Sequence, residues 1–171
     1  MYLMSGNHDI PEEKYTEQYK IEFGQSDFYS FHEHNWKFIV MNSQPFKNVE
    51  NYEPHLLWLE TELQTNASSN LIVFMHIPPF VNTPDEIDRW DNLPRSTRFK
   101  ILDLFQKHKV NYVFTGHCHR QVSQTALDYN GVKILPVQAC SINLDVNISE
   151  TGEFVSCHEN KDDLGWLQVF I

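Results

Sequence analysis

Three stretches of the chain place histidine and other polar side chains directly after an apolar run. The first is SGNHD at residues 5–9, which follows the short run at residues 2–4. The others are LIVFMH at residues 71–76 and VFTGHCH at residues 113–119. Apolar runs of this length predict strands, and open α/β sheets build their sites at the carboxyl ends of strands. Amide oxygen, imidazole and carboxylate groups together could bind a metal ion and move a proton.

The order of these motifs resembles that of the calcineurin-like metallophosphoesterase family. The family pattern runs DxH, GDxxD, GNHD or GNHE, a single histidine, and GHxH. This chain carries the last three parts as GNHD at residues 6–9, His76, and GHCH at residues 116–119, and it carries neither DxH nor GDxxD. The motifs together and in this order are specific, whereas GHxH alone would be weak evidence.

The resemblance implies ligands for two divalent metal ions, which would be Mn, Fe or Zn. Asn7, His76 and His117 match ligands of one ion, and His119 matches a ligand of the other. Imidazole and amide or carboxylate oxygens suit these metals. The aspartates that neutralise and bridge the two ions belong to DxH and GDxxD in the family. The resemblance therefore predicts a partial and weak metal site in this chain.

The activity that the resemblance implies is phosphomonoester hydrolysis, with phosphoserine or phosphothreonine in proteins as the expected substrates. Two metal ions about 4 Å apart can activate a water molecule and neutralise the phosphate. His8 matches the histidine that contacts the phosphate and acts as general acid toward the leaving alcohol. Asp9 matches the acid that orients that imidazole, which favours its protonated form.

Other interpretations stay open at this stage. Without DxH and GDxxD, the chain could be a catalytically inactive, truncated form that binds partners or phosphorylated ligands. A phosphodiesterase or nucleotide hydrolase would share every motif, because substrate class depends on the loops and not on the metal ligands. Asn7 and Asp9, taken alone, could simply hold a turn. Cys118 lies between His117 and His119, and in an extended segment its side chain points away from both, so we expect a buried thiol. A structural zinc site with Cys140 and Cys157 is disfavoured, because the spacing matches no zinc knuckle.

Length, charge and cysteine count restrict the class of protein further. A chain of 171 residues is long enough for one domain with one core. Its formal net charge is −10 and it has no dense run of Lys or Arg, which argues against nucleic-acid and anionic-membrane partners. No apolar run approaches the roughly 20 residues that a membrane span requires. Three cysteines and the absence of a leader-like start predict a cytoplasmic protein.

The periodicity predicts an α/β fold. Residues 71–75 are uninterrupted apolar, which is typical of a strand covered on both faces. Helical spacing occurs in residues 15–23, 54–63 and 97–108, and we expect Ser96 or Thr97 to cap the last of these helices. Residues 82–94 read as a surface loop near the mouth of the site.

Further strands complete the predicted sheets. We expect a strand at residues 2–4, hairpins at residues 28–41 and around Asn130-Gly131, and a last strand at residues 166–171. The expected architecture is a sandwich of two mixed sheets flanked by helices, in one domain over residues 1–171. It resembles the metallophosphoesterase core, truncated at the N-terminus so that the segments with DxH and GDxxD are missing.

Overall fold

The computed structural model describes residues 2–49, 51–65, 70–118, 127–136, 143–148, 154–160 and 167–170. A 3-10 turn at Glu13–Tyr15 precedes the helices α1 (Thr16–Phe23), α2 (Gln44–Asn48), α3 (Glu53–Gln64) and α4 (Arg95–Lys107). The strands are β1 (Phe28–Glu33), β2 (Trp36–Met41), β3 (Asn70–Met75), β4 (Tyr112–Thr115), β5 (Leu127–Tyr129), β6 (Val132–Pro136), β7 (Asn143–Ile148), β8 (Phe154–Asn160) and β9 (Leu167–Phe170). Within these residues, none of the helices has the length and apolar character needed to cross a membrane.

A mixed six-stranded sheet forms the centre of the fold, in the order β1-β2-β3-β4-β6-β5. Strands β2, β3, β4 and β6 are parallel, and β1 and β5 pair antiparallel with their neighbours at the two edges. In a second sheet, β7 pairs antiparallel with β8 and parallel with β9. The predicted α/β class, with two mixed sheets and flanking helices, is therefore confirmed.

The central strands are buried on both faces, as the run LIVFM predicted. On one face, side chains of β2, β3, β4 and β6 pack with α3 and α4 in a cluster that includes Ile39, Met41, Leu59, Leu63, Val73, Met75, Leu102, Phe105, Val113 and Ile134. The opposite face carries a row of aromatic rings, with centroid separations of 4.8 Å for Phe31–Phe38, 6.4 Å for Phe38–Phe74 and 5.2 Å for Phe74–Phe114. Because both faces of these strands pack against apolar side chains, the strands lie in the interior of the fold.

The predicted elements are mostly present. Strands β1 and β2 form the expected antiparallel hairpin. Asn130 and Gly131 join β5 to β6 with φ values of 49° and 93°, the positive values that an Asn-Gly hairpin turn needs. The outer parts of that predicted hairpin, residues 122–126 and 137–139, lie outside the described residues. The predicted last strand is present as β9.

The predicted strand at residues 2–4 was wrong. These described residues form no strand, although their sequence is apolar. Side chains take the place of a β-ladder there, because the Leu3 amide donates to Gln25 Oε1 at 3.2 Å and the Tyr29 hydroxyl donates to the Leu3 carbonyl at 2.8 Å. The amide and the carbonyl of Leu3 are thus both satisfied by side chains.

The predicted cap of α4 was also wrong. The helix begins at Arg95, so Ser96 and Thr97 lie inside its first turn. Asp88 Oδ1 accepts a hydrogen bond from the Arg95 amide at 2.8 Å, and the buried Thr97 hydroxyl donates to the Phe46 carbonyl at 2.7 Å. Asp88 in the loop before the helix thus supplies the acceptor for the first helical amide. The Thr97 hydroxyl instead connects α4 to α2.

An ion pair between buried Lys37 and half-buried Glu62 joins β2 to α3. Lys37 is 2% exposed, and its Nζ lies 2.9 Å from Glu62 Oε2. The Ser30 hydroxyl donates to the same carboxylate oxygen at 2.6 Å. Burial acts to raise the pKa of Glu62, but the hydrogen bonds from Ser30 and Lys37, together with the Lys37 charge, leave that pKa below its usual value.

Glu62→Gln is expected to lower the free energy of unfolding by about 2 kcal/mol at pH 7, because the buried ammonium loses its charged partner. The pKa of Glu62 is lowered from 4.5 in the folded chain. The stabilisation is therefore present above pH 4.5 and is lost as the pH falls through the folded pKa. Urea unfolding at pH 7 and at pH 3 would measure this, and the difference between variant and wild type should shrink at the lower pH.

Glu60→Gln is the matched control on the same helix, because Glu60 forms an exposed ion pair with Lys107. It should change the free energy of unfolding by under about 1 kcal/mol. An equal loss for Glu62→Gln at both pH values would contradict an origin in the charge of Glu62.

Candidate functional site

The predicted site residues lie where two parallel strands end beside a turn. His76 follows β3 directly, and His117 comes two residues after β4. The Gly116 amide donates to the His76 carbonyl at 2.8 Å and ties the two strand ends together. Asn7 belongs to the turn at residues 6–10, in which two amides donate to the Gly6 carbonyl at 3.1 Å.

Asn7, His76 and His117 converge into one group, here called the Asn7–His76–His117 cluster. Asn7 Oδ1 lies 2.8 Å from His76 Nε2 and 3.1 Å from His117 Nδ1, and the two nitrogens are 3.2 Å apart. Ligand atoms about 2.0 Å from a tetrahedral ion are separated by roughly 3.3 Å, so the triangle is only slightly smaller than such a site needs. Two imidazole nitrogens and an amide oxygen suit Zn, Mn or Fe. The residues present therefore fit one divalent ion.

The orientation of His117 favours a ligand role. Its Nε2 lies 3.1 Å from the Trp90 carbonyl oxygen. A carbonyl can only accept, so Nε2 donates and the neutral ring keeps its lone pair on Nδ1, which faces Asn7 and His76. His117 also has a φ of 71°, in the left-handed region that a residue with a side chain rarely adopts. Such backbone strain is concentrated at functional sites.

Gly6 permits the close approach of the turn to His76. A Cβ atom at this position would lie 3.1 Å from His76 Cε1 and 3.2 Å from both ring nitrogens. Those distances are shorter than ordinary van der Waals contact, so a side chain here would push the imidazole away from Asn7. The glycine of the GNHD motif thus serves the packing of the cluster.

The cluster consists of neutral ligands. Among the side chains that the structure describes, no group of three or more His, Cys, Asp or Glu residues is placed to hold a metal ion. His119, the predicted ligand of a second ion, lies outside the described residues. Two imidazoles and an amide carry no negative charge, so these three side chains by themselves do not neutralise a cation.

His8 and Asp9 lie at the tip of the turn and are exposed. Both border a cleft of about 350 Å³ between the turn and α1. Asp9 Oδ2 accepts a hydrogen bond from the Gly6 amide at 2.7 Å, so its carboxylate closes its own turn. The roles of His8 as general acid and of Asp9 as its orienting acid stay predictions.

The loop at residues 82–94 borders the cluster, as its sequence position suggested. Glu86 organises it by accepting hydrogen bonds from the Val81 and Asn82 amides at 2.7 and 2.9 Å and from Asn92 Nδ2 at 2.7 Å. Burial acts to raise the pKa of Glu86, and these hydrogen bonds, that of Asn92 first, lower it overall. The carboxylate is therefore charged at neutral pH and connects the start of the loop, at Val81 and Asn82, to Asn92 near its end.

Sequence reasoning gave no role to Arg98, whose guanidinium binds main-chain carbonyls of this loop. Its side chain is 0% exposed. The guanidinium donates to the carbonyls of Leu93 (Nη2, 2.7 Å), Pro84 (Nη1, 2.8 Å) and Glu86 (Nη1, 2.7 Å). One signal could have found it, because Arg98 lies four residues before Leu102 on the apolar face of α4.

Lys47 of α2 holds the loop from another side. Its Nζ donates to the Arg89 carbonyl and, at 2.7 Å, to the Asn92 carbonyl. Cys118 is buried as predicted, with its Sγ 3.9 Å from the Asp91 carbonyl oxygen. The segment from Arg89 to Asn92 is therefore fixed beside His117 by contacts to its main chain.

The chain resembles known proteins along most of its length. Residues 1–121 match the family model described as Calcineurin-like phosphoesterase. Serine/threonine-protein phosphatase CPPED1 of Danio rerio is 38% identical over 130 residues, which are 70% of this chain and 42% of that protein. The Homo sapiens protein of the same name is 36% identical over 73% of this chain and 43% of its own length.

A relative with a different description is similar over more of the chain. Probable glycerophosphodiester phosphodiesterase GpdQ of Arcobacter nitrofigilis is 30% identical over 90% of this chain and 58% of its own length. The chain spans about half the length of the curated relatives it matches.

Proposed function

Because the chain belongs to the calcineurin-like phosphoesterase family, we propose that it serves metal-dependent hydrolysis of phosphomonoesters, with phosphoserine and phosphothreonine of proteins as substrates. The observation that carries the proposal is the convergence of Asn7, His76 and His117 within 3.2 Å of one another. The relatives described as serine/threonine-protein phosphatases support the substrate class. A cytoplasmic location is part of the same proposal.

Each residue has a separate task in this proposal. A divalent ion, when bound, neutralises the phosphate and supplies an activated water molecule. The Asn7–His76–His117 cluster holds that ion, and the Trp90 carbonyl keeps the His117 ring in the orientation for binding. His8, at the exposed tip of the turn, donates a proton to the leaving alcohol oxygen. His119 is the proposed ligand of a second ion.

Two other functions have specific support. The relative described as a glycerophosphodiester phosphodiesterase favours a phosphodiester substrate at the same site. The neutral side chains of the Asn7–His76–His117 cluster favour a protein that binds phosphorylated ligands without turnover. One assay series can separate these three functions.

The first measurement is the affinity for Mn²⁺ by titration calorimetry. Wild type is expected to bind an ion, and His117→Ala is expected to weaken binding by at least about 100-fold, since even outer partners of metal ligands are worth 10 to 100-fold. His34→Ala is the control, because His34 is exposed in the β1–β2 turn and lies on no motif. Equal affinities of wild type and His117→Ala would remove the cluster from the proposal.

The second measurement, in the presence of Mn²⁺, follows the release of phosphate from a phosphoserine peptide and the release of the phenol from a bis-aryl phosphodiester. Release from the peptide, lost in His117→Ala, would support the phosphatase. Preferential cleavage of the diester would favour the phosphodiesterase. Bound Mn²⁺ without turnover of either substrate would contradict the enzyme and favour the binding protein.

A further inference from the structure

Trp90 is an exposed aromatic residue in direct contact with the cluster. Its side chain is 61% exposed. Its ring centroid lies 5.4 Å from that of His117, and the two rings are tilted by 60°. A large apolar side chain therefore stands in solvent beside a residue that we propose to hold the metal ion.

The backbone around Trp90 is fixed, although its side chain is exposed. Its own carbonyl accepts the hydrogen bond from His117, and Lys47 binds the carbonyls of Arg89 and Asn92. The Arg89 guanidinium pairs with the buried Asp91 carboxylate at 3.0 and 2.7 Å. The indole is thus presented by a rigid segment at low entropic cost, a property of aromatic residues that recognise partners.

We propose that Trp90 is a specificity-determining residue, which packs against an aromatic side chain next to the phosphorylated residue of a peptide substrate. The inference rests on the proposed function, because it places the phosphate at the Asn7–His76–His117 cluster. Adjacent Cα atoms are about 3.8 Å apart, so the neighbour of a phosphorylated residue stays within reach of a ring that contacts a metal ligand. Two aromatic rings in offset or edge contact gain energy beyond simple burial of apolar area.

The test compares two peptides that carry a phosphonate analogue of phosphoserine, which the protein cannot hydrolyse. One peptide has phenylalanine beside the phosphonate and the other has alanine. Binding to the full chain in the presence of Mn²⁺ is measured by calorimetry. Wild type is expected to bind the phenylalanine peptide about tenfold more tightly, a difference of the size that aromatic pairs and burial provide. Trp90→Ala should bind both peptides equally, and Trp90→Phe should keep most of the preference.

Ile87→Ala is the matched control, because Ile87 lies in the same loop and is 73% exposed. It should keep the tenfold preference. Trp90 contacts the proposed ligand His117 through its ring and its carbonyl, so the peptides are compared at a Mn²⁺ concentration that saturates each variant.

Three outcomes would overturn the inference. Equal binding of both peptides by wild type would remove Trp90 as a specificity residue while leaving the proposed function intact. A preference for adenosine 5′-phosphate over ribose 5-phosphate that depends on Trp90, without any peptide preference, would assign the ring to a nucleobase instead. If wild type bound neither of the two peptides and no Mn²⁺, both the inference and the proposed function would be overturned.

Discussion

Replacing His8 by alanine is expected to lower kcat for a phosphoserine peptide about 1000-fold, the middle of the range for a positioned general acid. His8 directly follows Asn7, whose side-chain oxygen lies in the Asn7–His76–His117 cluster. It is exposed at the tip of the turn, and the proposed function requires that a substrate bound at the cluster meets it. The alkoxide of serine is a poor leaving group, so the reaction depends on protonation of that oxygen.

The leaving group separates this role from simple phosphate binding. Nitrophenolate leaves without a proton, so His8→Ala should lower kcat for nitrophenyl phosphate about tenfold or less if His8 acts as general acid. Mn²⁺ affinity should be unchanged, and His34→Ala should behave as wild type toward both substrates. The same large loss with both substrates would contradict the general-acid role and assign His8 to binding of the phosphate.

Replacing Arg98 by alanine is expected to lower the free energy of unfolding by about 4 kcal/mol, the combined cost of buried acceptors left unpaired and of a cavity. The guanidinium is fully buried and donates hydrogen bonds to three carbonyls of the loop at residues 82–94. Its removal leaves those acceptors unpaired and opens a void under the loop, and each loss is costly in the interior. The loop also carries Trp90, so Mn²⁺ binding at the cluster should weaken together with stability.

Urea unfolding would measure the effect, with Arg95→Ala as the control on the same helix. Arg95 is exposed, and its nearest acidic partner, Asp85, is 3.5 Å away at the surface, so a loss under about 1 kcal/mol is expected. Arg98→Lys keeps the charge but not the planar donor array, and should lose roughly half as much as Arg98→Ala. A loss under 1 kcal/mol for Arg98→Ala would show that Glu86 and Lys47 hold the loop without it.

The sequence alone predicted much of the fold, because local patterns report local physics. The run LIVFM identified β3 and placed His76 at its end, and Asn-Gly identified the β5–β6 turn. It failed at residues 2–4, where apolar residues favoured a strand but side chains of Gln25 and Tyr29 satisfy the backbone. It also failed at the start of α4, where Asp88 from the loop supplies the acceptor.

For the candidate site, the sequence determined the residue types and their order, and through them the family. Only the tertiary structure decided that Asn7 meets His76 and His117, which are 69 and 110 residues away along the chain. It also decided which nitrogen of His117 faces the cluster, through a carbonyl of a loop that has no recognisable motif. The tertiary structure likewise decided that Arg98 binds the carbonyls of the loop at residues 82–94 and that Trp90 contacts His117. Hydrogen-bond partners of this kind are chosen by proximity in space, and periodicity along the chain carries no information about them.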